Sequence, residues 1–79
     1  MLELLYERIK VLINKKVVKN NLKEIRQKHT LSQEELAESV GVTRQTILSI
    51  EKSVYQPSIT LALKLSKKLK VPVEQLFYL

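Results

Sequence analysis

A single glycine, Gly41, stands between two helix-start signals, and this arrangement constrains the fold more than any bulk property of the chain. Ser32 followed three residues later by Glu35 is a capping box. The serine hydroxyl accepts from the N–H of the glutamate, the glutamate reaches back to the serine N–H, and two orphan donors of a first helical turn are satisfied. A helix therefore begins at Gln33, and Leu36, Ala37 and Val40 recur on one of its sides. Gly41 falls where that helix must stop, in the left-handed conformation that a side chain resists. Thr43 is then a good N-cap for another helix, with Ile47, Ile50 and Val54 marking its buried side. Two short amphipathic helices joined by three residues follow.

The flanking sequence continues in the same style. Leu22, Ile25 and Arg26 share a stripe that predicts a helix over Asn21 to Lys28. Pro57-Ser58 stops and restarts the chain, with Ser58 as N-cap of a helix carrying Leu61, Ala62, Leu65 and Leu69. Pro72 introduces a last short helix holding Val73, Leu76 and Phe77. Seventy-nine residues hold one small core. With one glycine, two prolines, four aromatics and 44% apolar residues, disorder, collagen and a turn-rich β-sandwich are poor fits, and an all-α domain of five helices is expected.

Composition also excludes chemistry. The absence of cysteine removes disulfides, thiolate zinc sites and cysteine nucleophiles, and a single histidine, His29, predicts neither a metal site nor a catalytic dyad. No paired carboxylates are visible, so catalysis, for example by a small nuclease, is not expected, nor is a cofactor. No apolar run approaches the ~18 residues of a membrane span. Glu3 and Glu7 stand where a signal peptide requires positive charge. The expectation is a soluble, cytoplasmic protein without a membrane partner. A formal charge of +6 suggests a polyanion, although a solvated lysine surface has the same composition.

The run from Gln33 to Glu51 resembles the helix-turn-helix of the phage repressor and Cro family, also called XRE-type. Support comes from Asn21-Leu-Lys-Glu-Ile-Arg26, Ser32-Gln-Glu-Glu-Leu-Ala37, Thr43-Arg-Gln-Thr-Ile47 and Tyr55-Gln-Pro-Ser58. The resemblance covers residues 20–79, and Asn20-Asn21-Leu22 with the Tyr-x-Pro-Ser element is most similar to compact dimeric regulators such as the cytolysin repressor. It implies a lambda-repressor-like DNA-binding domain over 20–79, with the motif proper at 33–51 and a short N-terminal β segment. It also implies a sequence-specific transcriptional regulator that binds an inverted-repeat operator in double-stranded DNA as a homodimer. The rival reading is an antitoxin or partner-binding module, which holds another protein through the same domain and binds DNA to regulate itself.

Helical geometry nominates the reading residues independently. Positions 44, 45, 48 and 49 lie opposite Ile47 and Ile50, so Arg44, Gln45, Leu48 and Ser49 are the candidates to meet base edges. Arginine suits guanine, glutamine suits adenine, and Leu48 suits a thymine methyl. The resemblance assigns phosphate contacts to Gln33 at a helix N-terminus, to Thr43, and to Lys52, Tyr55 and Ser58 in and after the loop that follows. It assigns Arg26 and Glu51 to a structural ion pair. His29 reads as a helix-end residue facing the negative end of the dipole. Lys23, Lys28, Lys64, Lys67, Lys68 and Lys70 read as solvated charge. Relatives commonly carry glycine where this chain has Thr30, Ser53 and Lys70, so strained or altered caps are expected there.

Residues 1–19 precede the family's usual start or extend its first strand. Leu2, Leu5, Tyr6, Ile9, Leu12 and Ile13 make a helical stripe, whereas residues 8–13 and 16–19 are β-branched runs around Asn14-Lys15, a hairpin turn. The hairpin is the favoured reading; a helix and a misassigned start are the alternatives. This segment is expected to act as a dimer arm. Its contacts would be Val17, Val18, the run from Ile9 to Ile13, and the C-terminal Leu76-Phe77-Tyr78.

Overall fold

The computed structural model describes residues 2–5 and 18–79. Residues 2–5 are helical (α1). The main body comprises β1 (Lys19–Asn20), α2 (Leu22–Lys28), α3 (Gln33–Val40), α4 (Arg44–Glu51), α5 (Ile59–Leu69), α6 (Val73–Leu76) and β2 (Phe77–Tyr78). The five expected helices are present as α2 to α6, and α1 is an addition to them.

The caps form as their chemistry requires. Ser32 and Glu35 complete the capping box, with Ser32 N donating to Glu35 Oε1 at 2.9 Å and Glu35 N to Ser32 Oγ at 3.0 Å. The backbone and then the hydroxyl of Ser32 hold the Glu35 carboxyl below its ordinary pKa. A lowered folded-state pKa stabilises above the ordinary carboxylate range and is lost as pH falls through the depressed value. Thr43 and Ser58 accept from Thr46 N and Leu61 N, and Gly41 closes α3 at φ 76°.

Apolar faces at helical spacing then converge. Leu22, Leu36, Ala37, Val40, Ile47, Ile50, Leu61, Leu65, Leu69 and Leu76 form the core, with Ile25, Leu31, Val42, Val71 and Phe77 packed against it. Several expectations need correction here. Asn21 caps α2 by position rather than joining it, and its side chain donates instead to the Gln75 carbonyl at 3.1 Å. Val54 is 79% exposed, because the backbone turns left-handed at Ser53 and ends the helical stripe. Phe77 lies in a strand rather than the last helix, and Leu76 is fully buried in the core rather than spare for a partner.

The N-terminal expectation also changes. The strand is Lys19–Asn20, and it pairs antiparallel with β2, Lys19 opposite Tyr78 and Asn20 opposite Phe77. The chain's own C-terminus therefore lines one edge of the strand. Helix at 2–5 agrees with the start of the helical stripe, and these residues precede the stretch read as a hairpin. The proposed hairpin turn at Asn14-Lys15, the run from Ile9 to Ile13, and Val17 lie outside the described residues.

Thr30, Ser53 and Lys70 adopt φ of 56°, 61° and 56°, the left-handed conformations that glycine would take without strain. Thr30 and Ser53 use their hydroxyls, bonding the His29 carbonyl and Asn20 respectively. The Lys70 side chain makes no hydrogen bond or ion pair among the described residues. Left-handed strain of about 1–2 kcal/mol less the chain entropy of glycine leaves about 0.5–1 kcal/mol to be gained. Lys70→Gly is expected to raise the midpoint of thermal unfolding by a few degrees, and Ser53→Gly by less, since it forfeits a hydrogen bond. Calorimetry in which Lys70→Gly melts below the wild type would contradict this account.

Candidate nucleic-acid interface

Three residues, Gly41-Val42-Thr43, set α3 across α4. The inner side of α4 is Ile47 and Ile50, both essentially inaccessible, which fixes the roll of the helix about its axis. Arg44 and Gln45 are consequently exposed, while Leu48 and Ser49 are half-buried on the flank. Gln45 Nε2 lies 3.5 Å from Ser49 Oγ, one turn on, a loose contact that leaves the amide available. The first turn of α4, which carries Arg44, contains no acidic residue.

Gln33 is half-buried at the first position of α3 and does more than sequence reasoning assigned to it. Its Nε2 donates to Glu51 Oε1 at 3.0 Å. Glu51 is simultaneously held by Arg26, through Nε at 2.6 Å and Nη2 at 3.2 Å, and Arg26 Nη1 donates to the Leu31 carbonyl at 2.8 Å. The charged side chains are 9% and 4% exposed, and no buried side-chain nitrogen or oxygen among the described residues lacks a partner. The expected ion pair is thus present, and it links α2, the end of α4 and the start of α3. Gln33 is oriented by that network while remaining at a helix N-terminus, where backbone donors and the dipole favour an anion.

The segment after α4 is folded back on the helix. Val54 N and Tyr55 N both donate to the Ser49 carbonyl, at 2.9 and 3.2 Å. Lys52 and Tyr55 are exposed beside α4, and Ser58 is exposed but engaged as the cap of α5. The Thr43 hydroxyl is similarly occupied by Thr46. His29 stands at the end of α2 with Nε2 2.7 Å from the Leu69 carbonyl, a link between two helix C-termini.

Of the residues assigned to a dimer contact, Val18 is half-buried just before β1 and Phe77 is half-buried in β2. Lys23, Lys28, Lys64, Lys67, Lys68 and Lys70 are all exposed. One residue went unassigned: Asn20, whose side chain bonds both the Ile50 carbonyl and Ser53. Its signals in the sequence are its place before α2 and in the Asn20-Asn21-Leu22 element, neither of which reveals a partner thirty residues away. Among the described residues, no group of three or more potential ligands could hold a metal ion, and no helix is long and apolar enough to cross a membrane.

A family model described as helix-turn-helix matches residues 22–76. The chain is 50% identical over 62 residues to the uncharacterized HTH-type transcriptional regulator YgzD of Bacillus subtilis, covering 78% of this chain and 94% of that protein. It is also 50% identical over 60 residues to the uncharacterized HTH-type transcriptional regulator MJ0272 of Methanocaldococcus jannaschii, covering 76% and 91%. Among solved structures, the restriction-modification controller protein C.AhdI from Aeromonas hydrophila is similar with a TM-score of 0.64 and 31% identity, over 68% of this chain and 78% of that one.

Proposed function

Because the chain belongs to the XRE-type helix-turn-helix family of DNA-binding transcriptional regulators, we propose that it binds an inverted-repeat operator as a homodimer and regulates transcription by occupying it. The observation that carries this reading is the roll of α4. Burial of Ile47 and Ile50 turns Arg44 and Gln45 outward as adjacent residues in its first turn. Such a helix fits the major groove with its N-terminal residues toward base edges. Arg44, Gln45, Leu48 and Ser49 read bases; Gln33, Thr43, Lys52, Tyr55 and Ser58 contact phosphates. One recognition helix reads too few base pairs for genomic specificity, and two-fold pairing about 34 Å apart solves this. The pairing surface is assigned to Val17, Val18 and Phe77, and the protein acts in the cytoplasm.

Selection from random duplexes is expected to return an inverted repeat with half-site centres about one turn apart. On that site Gln45→Ala is expected to cost about 1–3 kcal/mol and to relax preference at one base pair, whereas Gln33→Ala weakens all duplexes alike. Gln33→Ala also loses the bond to Glu51, so its unfolding midpoint falls slightly. Wild-type binding of every duplex by Gln45→Ala would remove α4 as the reading element.

A further inference from the structure

Asn20 stands where the N-terminal segment enters the helical body, and its side chain ties three elements together. Its Nδ2 donates to the Ile50 carbonyl at 2.9 Å and to the Ser53 hydroxyl at 3.2 Å, and its Oδ1 accepts from Leu22 N at 3.2 Å. Its backbone is held at the same time by the pairing with Phe77. The Ile50 carbonyl also accepts Ser53 N at 2.9 Å. Both lone pairs of that oxygen are therefore used, one holding the backbone of the segment after α4 and the other holding Asn20.

Ser53 is the pivot of this arrangement. It keeps a left-handed φ of 61°, a conformation that strains any residue with a side chain. Glycine would relieve the strain but would leave Asn20 without the hydroxyl it donates to. Beyond Ser53, Val54 and Tyr55 hang from the Ser49 carbonyl. The segment carrying Lys52 and Tyr55 is thus anchored on one side by its own helix and on the other by Asn20.

We propose that Asn20 is a positioning residue for DNA: through Ser53 and Ile50 it fixes the Lys52 to Tyr55 segment in register with α4, without itself touching the duplex. The proposal rests on the assignment of Lys52 and Tyr55 to phosphate contact. It makes affinity depend on a side chain in the strand that leads from the N-terminal segment.

Two variants separate the arms of the amide. Asn20→Ala removes both, whereas Asn20→Asp keeps an acceptor for Leu22 N, at the favourable end of the α2 dipole, and removes the donor. In the free protein, exchange of the Val54 and Tyr55 amide hydrogens is expected to accelerate about tenfold in both variants, while the amides of Ile47 and Leu65 keep their protection. On the selected duplex, Asn20→Ala is expected to bind about 5- to 20-fold more weakly with base preference retained, a loss that shrinks at least about twofold in a Lys52→Ala background, where only Tyr55 remains to be positioned. Unchanged exchange at the two amides overturns the proposal, as does unchanged affinity. An equal loss in the Lys52→Ala background also overturns it, by making Asn20 purely structural. A wild-type chain that binds no duplex is a separate result, read from its titration alone, and it overturns the functional reading itself.

Discussion

Arg26→Ala is expected to be among the most damaging single substitutions in this domain, because Arg26 holds the buried Glu51 carboxylate to which Gln33 also donates. Its guanidinium is 9% exposed and makes three hydrogen bonds, two to Glu51 and one to the Leu31 carbonyl. Alanine would leave the Glu51 carboxylate, 4% exposed, with Gln33 as its remaining side-chain donor. Stranding one member of a buried pair costs about 3–5 kcal/mol. A chain of this length has roughly 4–12 kcal/mol in total, so the loss is a large share of it and the unfolding midpoint is expected to fall by roughly 12 degrees or more. Removing the second charge should restore part of the loss, because Arg26→Ala with Glu51→Ala buries no unpaired carboxylate. Chemical denaturation of the two single variants and the double variant measures the coupling directly. Strictly additive losses would show that the pair contributes nothing beyond its separate packing.

The second large effect is on binding and is read from salt. Lys52, Arg44 and neighbouring cationic side chains would neutralise about four to eight phosphates per dimer, so log K should fall against log salt with a slope of roughly −4 to −7. Between 50 and 200 mM salt this amounts to a loss of about 10² to 10⁴ in affinity. Lys52→Ala is expected to reduce the slope by about one for each phosphate contact it removes, with base preference unchanged. A slope near zero in a fluorescence titration would exclude this mode of binding, whatever the affinity.

Much of the helical body was legible because its signals are local. The capping box at Ser32 and Glu35, the N-caps at Thr43 and Ser58, and the stop at Gly41 act over three or four residues, and all form as read. Apolar spacing located the core for the same reason: α3, α4 and α5 bury the residues that their periodicity marks. Val54 broke the pattern because periodicity continues on paper past a left-handed turn that ends the helix in space. Leu76 lies in the core and Phe77 in a strand rather than a helix, because an apolar residue near a terminus carries no local mark of whether it faces its own core or a partner, or of the strand it will pair with.

The sequence by itself therefore determined where α3, α4 and α5 start and where α3 stops, which side of each is apolar, and that residues 44 and 45 project away from Ile47 and Ile50. Tertiary structure decided what depends on residues far apart in the chain. It paired Lys19–Asn20 with Phe77–Tyr78, turned Gln33 toward Glu51, and hung the segment after α4 on Asn20. The physical reason is one of range. Caps and helical stripes are settled within a turn or two of backbone, whereas a hydrogen bond across eighteen or thirty residues, or a strand pairing across fifty-seven, exists only once packing has brought its ends together.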